Sequence, residues 1–89
     1  MNLIRVLNSI GKSTFVKYYY NFKTKSREYC IAQFDEPYTD KAKGTRTGHA
    51  QRIFRESKNL EALEIIIKSN RVDDTTRNKA KEILASEKR

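Results

Sequence analysis

Residues 14–23 read Thr14-Phe15-Val16-Lys17-Tyr18-Tyr19-Tyr20-Asn21-Phe22-Lys23, and the fold class turns on this run. It is β-branched and aromatic, the composition that suits a pleated, half-buried surface. With a period of two, Val16, Tyr18, Tyr20 and Phe22 fall on one face, and Phe15, Lys17, Tyr19, Asn21 and Lys23 on the other. A strand with one wetter face is the expectation. Thr24, Lys25 and Ser26 make a polar connection, after which Arg27 to Asp35 alternates again, with Cys30, Ala32 and Phe34 opposite Tyr29, Ile31 and Gln33. The two runs together read as an antiparallel β-hairpin. Two strands alone are marginal in water, so such a hairpin needs a helix, a third strand or a second copy to pack on.

Helices are expected on both sides of the hairpin. Leu3, Ile4, Val6, Leu7 and Ile10 form an apolar stripe that ends at Gly11, which predicts a helix over residues 2–10. Residues 36–47, EPYTDKAKGTRT, hold the only proline, Gly44 and several small polar side chains, the chemistry of a loop. Thr47 is placed to cap a helix over residues 48–57 that buries Ala50, Ile53 and Phe54, and Asn59 to cap the next, through Leu60, Ala62, Leu63, Ile66 and Ile67. Asp73 or Asp74 caps a last helix with Thr76, Ala80, Ile83 and Leu84 inward, stapled by Val72. The expected fold class is α+β, in the order αββααα. A chain of 89 residues supports one core, so residues 1–89 are expected to form a single domain.

Charge is segregated along the chain, whose formal net charge is +8. Residues 1–27 hold Arg5, Lys12, Lys17, Lys23, Lys25 and Arg27 without an acid, and residues 41–55 hold Lys41, Lys43, Arg46, Arg52 and Arg55, again without one. The acids Glu28, Asp35, Glu36 and Asp40 lie between these tracts, and residues 56–89 are nearly neutral. Two basic tracts of this kind imply a positive face for a polyanion, with the phosphate backbone of a nucleic acid as the partner. Aromatic rings interleaved with lysines point the same way, because unstacked bases need flat π faces. The expected binding residues are Lys12, Lys17, Tyr19, Lys23, Lys25 and Arg27 on and before the hairpin, with Lys41, Lys43, Arg46, Arg52 and Arg55 on the following loop and helix.

Other chemistries find less support. Gly11-Lys12-Ser13-Thr14 matches the end of a phosphate-binding P-loop, but Val6 stands where the first glycine belongs, and the flanking elements read as helix then strand, the reverse of what that loop requires. His49 is the only histidine, which rules out a histidine pair or relay within one chain. One histidine still permits a minimal nuclease, with Arg46, Arg52 or Arg55 neutralising the transition-state charge, as the main enzymatic reading. Asp35, Glu36 and Asp40 cluster in one short segment and read as a surface acidic patch rather than a magnesium site. The last three helices permit a helix-turn-helix with Thr75, Thr76, Arg77, Lys79 and Lys81 reading bases, though Asp73, Asp74 and Glu82 interleave with them.

No cofactor is expected, no secretory signal is legible at the N-terminus, and Cys30 alone fits a reducing cytoplasm. The longest apolar run, Ile65 to Ile67, is far short of the roughly 20 residues that span a bilayer, so no membrane partner is expected. The residues therefore predict a small, basic, non-enzymatic nucleic-acid-binding protein, with RNA or single strands favoured over duplex DNA, and with a homodimer as one way to complete the hairpin. The alternative is an adaptor or inhibitor of the kind phages and mobile elements use against host machinery, docking on an acidic protein. An unblocked hairpin edge, able to add a strand to a partner's sheet, would favour that alternative.

Overall fold

The run at residues 14–23 is helical. In the computed structural model, which describes residues 1–89, the chain forms α1 (Leu3–Ile10), α2 (Lys12–Lys17), α3 (Tyr19–Thr24), α4 (Arg27–Gln33), α5 (Asp40–Arg55), α6 (Asn59–Lys68) and α7 (Asp74–Glu87), with no strand. The α+β expectation and its hairpin are thereby overturned. Phe15, Tyr18, Tyr19 and Phe22 recur at helical spacing and all four are buried, whereas Tyr20, which a period of two places on the same face as Tyr18 and Phe22, is exposed. Three consecutive tyrosines satisfy either period locally. Burial of the Phe15–Phe22 stripe decides between them, and tertiary packing overrides the β preference of the individual residues.

The same rule converts the second expected strand. Ser26 accepts a hydrogen bond from the Tyr29 amide and caps α4, which turns Cys30 and Phe34 into the core and leaves Ile31 half-buried. The Cys30 thiol donates to the Asn21 carbonyl at 3.1 Å, and burial pushes its pKa up, the condition of an inert thiol. Between α2 and α3 the chain bends at Tyr18, yet the Tyr18 amide still reaches the Thr14 carbonyl and the Phe22 amide the Tyr18 carbonyl. The pair acts as one kinked helix.

Helix α5 begins two turns earlier than expected. Thr39, whose hydroxyl accepts from the Ala42 amide, supplies the cap expected of Thr47, and Asp40 complements the positive end of the first turn. Gly44 sits within the helix because α4 crosses there: a Cβ on it would lie 2.5 Å from Arg27 Nη2 and 3.9 Å from Ile31 Cδ1. Thr47 is wholly buried mid-helix, and its hydroxyl has no hydrogen-bond partner. Gly44, Thr47, Ala50 and Ile53 form the inward edge of α5, which packs against α1, α3, α4 and α6 and is the axle of the molecule. Its end is a Schellman turn, with the Lys58 amide on the Ile53 carbonyl and the Ser57 amide on the Phe54 carbonyl; Ser57 takes the left-handed conformation, φ 56°, that usually goes to glycine.

Helices α1, α6 and α7 occur where the apolar stripes place them. Gly11 ends α1 at φ 93°, and Asp73 caps α7 by accepting from the Thr76 amide at 2.7 Å. Asn59, expected as a cap, instead donates from its side chain to the Tyr19 hydroxyl. The core is one cluster of 17 buried apolar residues, in which Phe15 stacks on Phe22 and Phe54 and meets Tyr19 edge-on. No helix is long and apolar enough to cross a membrane.

Candidate nucleic-acid interface

The basic side chains divide by whether something in the fold already holds them. Lys17 reaches Asp35 at 3.4 Å and Glu36 at 3.1 Å, and the hydrogen bond to Glu36 raises its pKa. Glu36 also accepts from the Tyr18 hydroxyl at 2.8 Å, so that hydrogen bonds outweigh partial burial and hold its carboxyl below the usual range. Lys23 pairs with Glu87 at 2.8 Å. Glu87 additionally accepts from the Tyr19 hydroxyl at 2.8 Å, which ties α3 to the end of α7. The bond from Lys23 holds Glu87 below its ordinary pKa against the opposing effect of burial, and burial raises that of Tyr19.

Tyr19 is therefore core and latch, not a stacking platform. Arg46 is structural as well, since its guanidinium donates to the Ile10 carbonyl and lies 4.0 Å from the centre of the Tyr38 ring. Three of the expected binding residues before position 28 thus face inward or are neutralised, and one in the later tract is locked.

Three of the remaining cations share one side of α5. Lys41, Thr45, Gly48, Arg52 and Arg55 are spaced by four, three, four and three, so they form a single stripe; all but half-buried Gly48 are exposed. The stripe runs for about 21 Å at 1.5 Å per residue. Above Gly48 there is open space, so a ligand backbone can approach the helix closely there. Of these cations only Arg52 has a carboxylate partner, Glu56 at 2.6 Å, one turn along the same helix.

Two neighbouring elements flank this ridge. On one side Arg27 lays its guanidinium across Gly44, and the α3–α4 turn is fastened to α5 by Gln51, which donates to the Lys25 carbonyl at 2.9 Å. The Lys25 ammonium lies 5.4 Å from the centre of the exposed Tyr29 ring. On the other side runs α1, with Ser9 beside Ala42 and Thr45 and the N-terminal ammonium near enough to act on Glu56. Arg5, exposed and one turn before Ser9, lies along that flank. Lys25, Arg27, Lys41, Arg52 and Arg55 are thus brought together. Lys43 is half-buried and, two residues from both Lys41 and Thr45, falls on the side of α5 away from the stripe, and Lys12 lies elsewhere, in a cleft beyond α1.

The other candidates are placed as follows. Residues 74–87 form the third helix of the expected helix-turn-helix, but Thr76 is buried and Arg77 is spent on the carbonyls of Ile67 and Ser69 and on Asp74, holding the α6–α7 turn together. That removes two of the five expected base-reading side chains. His49 is half-buried in mid-α5, not in a first turn, and no group of His, Cys, Asp and Glu side chains has metal-binding geometry. The segment after Gly11 is a helix rather than the strand predicted, but Thr14 is buried with its hydroxyl 3.4 Å from that of Tyr38, which withdraws it from the role the P-loop resemblance requires. Sequence reasoning misses Arg5, Thr45 and Gly48 as parts of this surface; their signal is the three-and-four spacing, hidden while residues 36–47 read as a loop. Comparison with protein-family models, with curated proteins and with solved structures returns no match.

Proposed function

We propose that this chain is a small nucleic-acid-binding protein that grips the phosphate backbone with the exposed ridge of α5 and with Lys25 and Arg27 beside it. The observation that carries this reading is the stripe Lys41, Thr45, Gly48, Arg52 and Arg55, which holds no acid and has a glycine in its middle. Phosphates need cations, short hydroxyls and close approach to the helix surface, all of which the stripe offers. The stripe carries no Asn or Gln to pair with an adenine edge, and Gln51, one residue from Arg52, is committed to the α3–α4 turn. Contacts to phosphate carry no sequence information, so weak sequence preference is the expectation. Tyr29, exposed under Lys25, retains a stacking surface for an unpaired base and so keeps RNA or single strands ahead of duplex DNA.

The strand-adding form of the adaptor reading loses its support, because the fold has no strand edge to offer. The test is a titration of a short single-stranded oligonucleotide against salt. Four or five neutralised phosphates give a log–log slope of about −3 to −3.5 for a single strand. A flat profile would overturn the proposal and favour an acidic protein as partner.

A further inference from the structure

The fold leaves one concave, polar, positively charged place that the α5 ridge does not use. Between the α1–α2 corner and the α6–α7 turn lies a cleft of about 280 Å³ lined by Asn8, Gly11, Lys12, Ser13, Arg71, Val72, Asp73 and Thr76. Asn8 borders this cleft whereas the adjacent Ser9 borders α5, so the two surfaces lie on different flanks of α1. Ser13 and Thr76 are shared with a second hollow of about 240 Å³ that continues between α2 and α7 past Thr75 and Lys79. The two form one groove.

We infer that the Lys12–Arg71 end of this groove binds a phosphate group. Neither Lys12 nor Arg71 has a carboxylate within ion-pair distance, unlike Lys17 farther along, which Asp35 and Glu36 neutralise. Two cations of different kinds suit a tetrahedral anion: a guanidinium offers a bidentate fork, and an ammonium a mobile point charge. The Ser13 hydroxyl and the Asn8 amide add neutral donors. The one acid in the cleft, Asp73, has an oxygen occupied by the Thr76 amide, so its carboxylate is fixed as the cap of α7. Its negative charge weakens phosphate binding without filling the site. The ligand is either free phosphate or the phosphomonoester at the end of an oligonucleotide.

The inference is independent of the α5 proposal, because no residue of the ridge lines the groove. Backbone amide NMR at low ionic strength, with inorganic phosphate as titrant, tests it. Saturable shifts are expected at Gly11–Thr14 and Arg71–Thr76, with α5 unmoved. Lys12→Gln and Arg71→Gln, both at solvent-accessible side chains, are expected to weaken the affinity at least tenfold each while leaving the thermal midpoint in place. Asp73→Asn keeps the cap and is expected to tighten binding several-fold. Shifts that never saturate, or an affinity indifferent to Lys12→Gln and Arg71→Gln, would overturn the inference. A matched pair of oligonucleotides, one 5′-phosphorylated and one 5′-hydroxyl, separates the sources: a gain specific to the phosphorylated strand and lost in Lys12→Gln assigns a terminal phosphate, and equal binding of the pair assigns free phosphate.

Discussion

The two acid-free tracts look alike in sequence but are used differently in the fold. In the first, Lys17 and Lys23 are drawn onto Glu36 and Glu87, and their helix turns its rings into the core. In the second, Lys41 and Arg55 stay open on a ridge whose opposite edge is buried. A run of like charge therefore says little about a surface until the distant acids are placed. Charge spent on a partner stabilises the fold modestly; charge left unpaired is available to a ligand.

The comparison breaks first if the aromatic helix is not core. Phe15→Ala removes a fully buried ring at the centre of the cluster and is expected to cost about 3–5 kcal/mol in urea unfolding. A loss below about 1 kcal/mol would return those rings to the surface. Next comes the contrast in binding. Lys41→Ala and Arg55→Ala together, at the two stripe cations without a carboxylate partner, are expected to weaken oligonucleotide affinity by about tenfold and to flatten the salt slope by about 0.7 for each phosphate left without its cation. Lys17→Ala with Lys23→Ala is expected to change affinity by no more than about threefold, because those cations are already compensated. The reverse ranking would exchange the roles of the two tracts.

Acid sharpens the same contrast. Folding holds Glu87 below its ordinary pKa of 4.5, so its contribution is whole above that value and is lost as pH falls through the lower folded one. Glu87→Ala is expected to cost about 1–3 kcal/mol at neutral pH, since Lys23 and the buried Tyr19 hydroxyl lose their acceptor. It is also expected to make stability fall less steeply below about pH 5 in thermal melts, because one carboxylate with a lowered pKa is gone. An unchanged acid branch would mean that the α3–α7 latch does not form. The smallest effect is on α5 itself. Thr47→Val keeps the shape of a buried side chain and removes its unsatisfied hydroxyl, so a gain of up to about 1 kcal/mol is expected, without change in binding.

The fold is legible where a stripe and a cap agree. Leu3, Leu7 and Ile10 before Gly11, and Thr76, Ala80 and Ile83 after Asp73, leave one reading. Between them, Tyr18, Tyr19 and Tyr20 serve two periods equally, and only the burial of Phe15 and Phe22 separates helix from strand. Gly44 and Thr47 disguise the first half of α5 because their small size answers neighbours, α4 above all, that the local sequence does not reveal. As for the proposed site, Lys41, Arg52 and Arg55 are picked out by their run of like charge alone. The neutralisation of Lys23 cannot, because Glu87 stands 64 residues away.

Amide chemical-shift mapping with a short single-stranded oligonucleotide tests the central claim most directly. Perturbations that follow Lys41, Thr45, Gly48, Arg52 and Arg55, spread to Lys25–Tyr29 and fade in high salt are the expected result. Perturbations confined to α6 and α7, or none at all in low salt, would contradict it.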